Sequence, residues 1–140
     1  MSEELKQDEL DTVCSEVVMG ENIDDIVIRM RGVMESERGI GLAANQIGET
    51  VRVIIIDIPG GFQSVVINPI LSKASDRTFK STEGCLSFPG DRVVKIRHKQ
   101  VSISGFDQCW NPLKVKLRGL NAACAQHEVD HLNGITIHGE

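Results

Sequence analysis

No apolar run in the sequence reaches the roughly 18 residues that a membrane-spanning helix needs, so no helical anchor is expected. Residues 1–10 are acidic and polar. They lack the basic and apolar regions of a secretory signal and are too acidic for a transit peptide. Cysteines are few, and Cys14, Cys85, Cys109 and Cys124 are too scattered for a disulfide framework. The expected setting is a reducing cytoplasm, where thiols stay free to bind metal or fill a core. Positive charge is also short. The formal net charge is −5, whereas nucleic acid, DNA included, or an anionic membrane calls for a basic face. Neither is expected as the main partner, although a local basic patch remains compatible with that balance. Repeats, low-complexity tracts and linkers are missing too, so residues 1–140 are expected to form a single domain.

What is present reads as a globular chain with one core. Residues 22–37 predict an amphipathic helix. Ile23, Ile26, Val27, Met30, Val33 and Met34 form its stripe, Asn22 is its N-cap and Gly39 its stop. A further helix is expected over residues 5–18. Residues 51–58 are nearly all β-branched and predict a buried strand. Residues 65–67 predict another, ended by Asn68 and Pro69. Antiparallel strands are expected over 92–97, 101–105 and 113–117. The last follows a turn at 107–112 and alternates Leu113, Val115 and Leu117 on one side with Lys114 and Lys116 on the other. Residues 120–133 predict a second helix, stopped by Gly134 and apolar on most sides, hence buried. This order of elements gives an α+β fold: antiparallel or mixed sheets packed around a buried C-terminal helix.

That buried helix carries His127, Glu128, Asp130 and His131. Ionisable groups in a core are costly unless paired or bound to metal. His127 and His131 stand at i and i+4, so both imidazoles leave one face, with Glu128 beside them in reach of a water at the metal. A lone histidine there would read as a core residue hydrogen-bonded to backbone. The pair, in so apolar a helix, reads as a metal site. A catalytic site needs a third protein ligand and an open fourth position. The extended H-E-x-x-H-x-x-G-x-x-H pattern would put that ligand at Ile137, with His138 one residue late, so the third ligand is sought upstream. Cys85, between Gly84 and Pro89-Gly90, is the best candidate. Cys124 is its rival, though its place on the same helix suits a small core residue better. Residues 39–48 contain a formal G-x-G-x-x-A match, but they follow a helix and lead into a strand, the wrong context for a dinucleotide site. They read better as a loop whose backbone lies along a substrate, with Gln46 presenting an amide donor. A metallopeptidase and a protein with a purely structural metal both remain open at this point.

Three segments, taken in order, resemble the signature motifs of the peptide deformylase family: Gly39-Ile40-Gly41-Leu42-Ala43-Ala44-Asn45-Gln46, Glu83-Gly84-Cys85-Leu86-Ser87, and Gln126-His127-Glu128-Val129-Asp130-His131-Leu132. The similarity runs from about Ile23 to Gly134. It implies removal of the formyl group from N-formylmethionine of nascent polypeptides, with release of formate. By position, Cys85, His127 and His131 match the metal ligands and Glu128 the general acid/base. Gln46 and the Leu86 amide match the groups that stabilise the oxyanion. Gly41 and Gly84 match backbone positions that bind the peptide. Gly39, Ile40, Glu83, Arg92, Leu120, Ala123 and Cys124 match the substrate pocket, with Ala123 smaller than is usual there. The resemblance further implies one divalent ion, Fe(2+) natively with Zn(2+), Ni(2+) or Co(2+) as substitutes. It also implies a cytosolic monomer whose partners are formyl-Met peptides and ribosome-associated nascent chains. Typical bacterial members continue into a C-terminal helix, so the likeness is to a short form, of the kind a phage-encoded enzyme acting in its host would have. Finally, Arg97 either pairs with Asp130 as an anchor behind His131 or is an ordinary surface charge.

Overall fold

The nearly unbroken apolar run at the chain's centre is a strand buried on both faces. In the computed structural model, which describes residues 5–139, it forms β2 (Val53–Asp57). Its side chains alternate between two cores, as a period of two demands. Val53 and Ile55 join a cluster with α1 (Asp24–Glu37), whereas Ile54 and Ile56 join one with α2 (Leu120–Leu132). Burying one such isoleucine is worth roughly 1.5–3 kcal/mol, so this strand sets which face each helix covers.

β2 lies within a five-stranded sheet. Its neighbours are β1 (Gly41–Ala43) and β3 (Gln63–Ser72), followed by β6 (Gln100–Phe106) and β7 (Pro112–Arg118), in the order β1-β2-β3-β6-β7. All its ladders are antiparallel. The remaining strands, β4 (Thr78–Cys85) and β5 (Phe88–His98), form a separate two-stranded sheet. α2 packs against every strand of the larger sheet and against β5 of the smaller one, so it meets both sheets. The α+β class stands, and among the described residues the one parallel pairing is an isolated bridge between Ser15 and Val51.

Several local expectations need correction. Residues 5–18 are not helical. Their backbone groups are taken by the body of the protein: the Cys14 N–H donates to Leu132 O at 2.8 Å, and the Ser15 N–H to Thr50 O at 2.9 Å. β3 does not end at Asn68-Pro69. Asn68 takes a left-handed φ of 52° in a register shift between Ile67 and Ile70, and the strand resumes beyond it. A bulge tolerates proline because its nitrogen owes no ladder hydrogen bond. At the end of α1 the left-handed residue is Arg38 (φ 56°), and Gly39 N–H returns to Met34 O at 2.9 Å. The N-cap of α1 is Ile23, without a side-chain cap, and not Asn22, which stands one position early and accepts from the Asp24 N–H at 2.9 Å. β4 is mostly polar and carries little apolar alternation, so no periodic pattern marks it as a strand.

The Asn68 side chain also staples the N-terminal segment. It accepts from Val17 N–H at 2.9 Å and donates to Val17 O at 3.0 Å. Asn68→Ala removes both bonds and keeps a side chain in a left-handed backbone. Each part-buried hydrogen bond is worth about 1 kcal/mol, so urea unfolding is expected to show a loss of roughly 2 kcal/mol with an unchanged m-value. A midpoint equal to wild type would refute the stapling role.

Candidate active site

α2 runs beneath the turn that joins β4 to β5. The helix sets His127 and His131 one turn apart on one face, with ring centroids 5.0 Å apart. The hairpin brings Cys85 down to them from its tip, after an irregularity between Glu83 and Cys85 that re-aims the chain. Ligand atoms of Cys85, His127 and His131 all lie within 4.8 Å of one another, and Cys85 Sγ is 3.3 Å from His131 Nε2. One thiol and two imidazoles form a donor set that suits a divalent ion of borderline softness, and three protein ligands are the number catalytic zinc-type sites use.

The tautomers favour that use. His127 Nδ1 lies 3.0 Å from Glu83 Oε1 and donates to it, so Nε2 is the ring nitrogen left to face Cys85 and to serve a metal in place of its proton. Glu83 is in turn gripped by Arg97 through two bonds, Nε to Oε2 at 2.9 Å and Nη2 to Oε1 at 2.6 Å. Arg97 Nη1 reaches Asp130 Oδ2 at 2.6 Å. Arg97 is therefore no surface charge, being only 6% exposed. It does pair with Asp130, but the imidazole it steadies, through Glu83, is His127 rather than His131. The His131 Nδ1 atom is buried without a hydrogen-bond partner.

Titration follows from this crowding. Burial pushes the Glu83 carboxyl up, yet hydrogen bonds from Arg97, His127 and Ser81 outweigh it and hold the group at about 2. Burial likewise pulls His127 down, but hydrogen bonds to Cys85 and Glu83 raise it to about 10. Surroundings negative enough to hold a proton there would attract a divalent cation in the same way. His131 is held neutral, at about 3, by burial and by the charges of His127 and Arg97. Glu128 is raised to about 7, chiefly by burial, and its Oε1 has no hydrogen-bond partner. A carboxyl poised near neutrality in a cavity is equipped to accept and return a proton.

The cavity beside these groups has a volume of about 480 Å³, within the roughly 300–1,000 Å³ typical of small-molecule sites. Of the residues singled out in the sequence, Gly39, Ile40, Gly41, Gln46, Glu83, Gly84, Cys85, Leu86, Arg92, Leu120, Ala123, Cys124, His127 and Glu128 line it, whereas His131 lies beneath. Ile40 and Leu120 are exposed apolar side chains at its wall. Gln46 is buried and fixed: its Oε1 accepts from Ala43 N–H, and its Nε2 reaches Ser87 Oγ at 3.0 Å and Cys85 Sγ at 3.5 Å. The Leu86 N–H makes no hydrogen bond among the described residues. At Gly41 an added Cβ would stand 2.6 Å from Glu128 Oε2 and 2.9 Å from Cys124 Sγ.

Sequence reasoning missed the braces around the hairpin. Gln126 clamps β5 by bonding both His98 N–H and His98 O at 2.9 Å. Gln7 Nε2 reaches Ser87 O at 2.8 Å. His138 stacks edge-on against Phe88 at 4.9 Å and meets Asp91 at 3.0 Å. These partners are distant in sequence, and polar residues on loops carry no periodic signal.

A family model described as polypeptide deformylase matches residues 3–140. The chain is 39% identical over 118 residues to peptide deformylase 1 of Corynebacterium glutamicum, a match covering 82% of this chain and 70% of that protein. Among solved structures it is similar to the deformylase of Vibrio parahaemolyticus bacteriophage VP16T in complex with actinonin. That match has 42% identity and a TM-score of 0.91 over 97% of this chain and 99% of that one. The Met-Ala-Ser-bound class I type b peptide deformylase of Acinetobacter baumannii matches with 28% identity and a TM-score of 0.91, covering 99% and 98% of the two chains.

Two substitutions probe the geometry. Arg97→Ala leaves Glu83 and Asp130 without their cation and is expected to cost about 3–5 kcal/mol of stability, as broken buried pairs do. It is also expected to lower metal retention after gel filtration; unchanged metal content and rate would end the idea that Arg97 anchors the site. Gly41→Ala should leave metal content intact while displacing Glu128, and misplacement on the order of 1 Å can cost roughly 10²-fold in kcat.

Proposed function

The chain belongs to the polypeptide deformylase family, enzymes that take the formyl group off new peptides, and we propose that it does so with one divalent ion held by Cys85, His127 and His131. The observation that carries this reading is the meeting of those three ligand atoms at a cavity that also contains the buried, unpartnered Glu128. When bound, such an ion acts as a Lewis acid that polarises the formyl carbonyl and acidifies water toward neutral pH. Thiolate with imidazole suits iron(II), our proposed native metal, and zinc, nickel or cobalt as substitutes, better than magnesium.

The chain's own residues do the rest. Glu128 takes a proton from the attacking water and passes it to the amine nitrogen as the formyl C–N bond breaks, giving formate and a free amino terminus. Gln46 spends one amide proton on Ser87 and turns the other toward Cys85 and the cavity. With the unbonded Leu86 N–H, it is placed to meet the charge that grows on the formyl oxygen. Removing one such donor typically costs roughly 10²–10³ in rate. Gly41 and Gly84 hydrogen-bond the peptide backbone. Gly39, Ile40, Leu120, Ala123 and Cys124 surround the methionine side chain, and Glu83 and Arg92 complete the wall.

The substrate is a linear N-formyl-Met peptide, including nascent chains at the ribosome, met by a monomeric single domain in a bacterial-type cytosol. Actinonin and Met-Ala-Ser bound to the solved relatives support a peptide in this cavity. No described helix is long and apolar enough to cross a membrane.

The test is formate release from N-formyl-Met-Ala-Ser by anaerobically purified protein. Glu128→Ala at matched metal occupancy is expected to lower the rate by roughly 10²–10⁴. Metal-loaded wild-type protein that releases no formate would overturn the proposal.

A further inference from the structure

A second depression shares no residue with the first. Arg77, Phe79, Lys99, Gln100 and Arg118 line it, together with Ser75 and Gly119. The backbone places its cations side by side. Lys99 N–H donates to Arg77 O at 3.0 Å, Gly119 N–H donates to Lys99 O at 3.0 Å, and Gln100 pairs with Arg118 across β6 and β7. Adjacent strands lie about 4.8 Å apart, so the three positive side chains start from neighbouring rows.

No described carboxylate pairs with them. All three are exposed, none makes an ion pair among the described residues, and no carboxylate lines the depression. The wider charge pattern points the same way. Residues 73–118 contain ten of the fifteen Lys and Arg but four of the twenty Asp and Glu, a balance of +6 in a chain of −5. The acidic remainder counts for less than its total suggests, because exposed charges farther apart than about 10 Å are largely screened at ordinary salt.

We infer that this depression binds single-stranded RNA, with Arg77, Lys99 and Arg118 on successive phosphates and the Phe79 ring beneath a base. Two of the three cations are guanidiniums, whose planar fork matches phosphate oxygens. A half-buried aromatic among unpaired cations is the usual arrangement for holding single strands, since every base has a face to stack. An anionic bilayer offers no base for the Phe79 ring to stack on, and an acidic peptide supplies none either. The inference is independent of the catalytic reading.

The experiment uses the full metal-loaded chain and a fluorescein-labelled single-stranded RNA of roughly 12 nucleotides, read by anisotropy. Three phosphate contacts at about 0.7 each give a salt slope near −2, so affinity is expected to fall roughly 20-fold between about 50 and 200 mM salt. Arg77→Ala, Lys99→Ala and Arg118→Ala should each weaken binding and flatten that slope by about 0.7. Phe79→Leu should weaken binding with the slope unchanged. Formate release from a free formyl peptide and the Tm should match wild type throughout, which guards against a folding artefact. The inference is overturned if no RNA binds at the lower salt. It is equally overturned if Lys114→Glu with Lys116→Glu costs as much as the three substitutions, or if phosphatidylserine vesicles bind in place of RNA.

Discussion

The arrangement depends above all on one buried guanidinium. The β4–β5 hairpin shares no ladder with the five-stranded sheet, yet it must deliver Cys85 to two histidines on α2. Arg97 makes the connection. It leaves β5, grips Glu83 on β4 with two bonds and Asp130 on α2 with a third, and Glu83 passes the constraint to His127. Buried ion pairs often stabilise no more than apolar packing would, but their directional bonds fix one register among several. Here register is what a three-ligand site needs.

The same network sets the electrostatics. One arginine faces two carboxylates, so the pocket behind His127 keeps an excess of negative charge. That excess draws a cation toward the imidazoles, and Glu83 and Asp130 add to the burial that lifts Glu128 toward neutrality, against the opposing charges of His127 and Arg97. Ligand affinity and proton affinity thus share a cause, and a change to Arg97 or Glu83 cannot alter one without the other.

Features set by local periodicity were legible in the sequence. The i, i+4 spacing of His127 and His131, the apolar surround of α2, the continuous apolar run of β2 and the alternation of β7 need only neighbours to be read. Features set by distant pairing were not. Glu83 reads, by resemblance, as a wall of the substrate pocket, and nothing local reveals that Arg97 and, 44 residues away, His127 close on it. Asn68-Pro69 reads as a stop because the bulge that accommodates it depends on β6 and on Val17. Residues 5–18 have buried side chains at Leu10, Cys14 and Val17, a spacing that imitates a helix, while their backbone bonds go to other elements.

The hairpin is joined to the body by side chains: Arg97, the Gln126 clamp, Gln7 and Gln46 on the Cys85 turn, and His138 against Phe88 and Asp91. Hydrogen bonds of that sort can open without breaking the ladders of the larger sheet. Swinging the hairpin away is then a sub-global event, cheaper than unfolding, and amides of β4 and β5 should exchange with solvent sooner than those of β2 and β3. Catalytic competence is therefore a more fragile property than the fold. Under heat or mild denaturant the meeting of Cys85 with His127 and His131 would come apart while most of the secondary structure still registers as native.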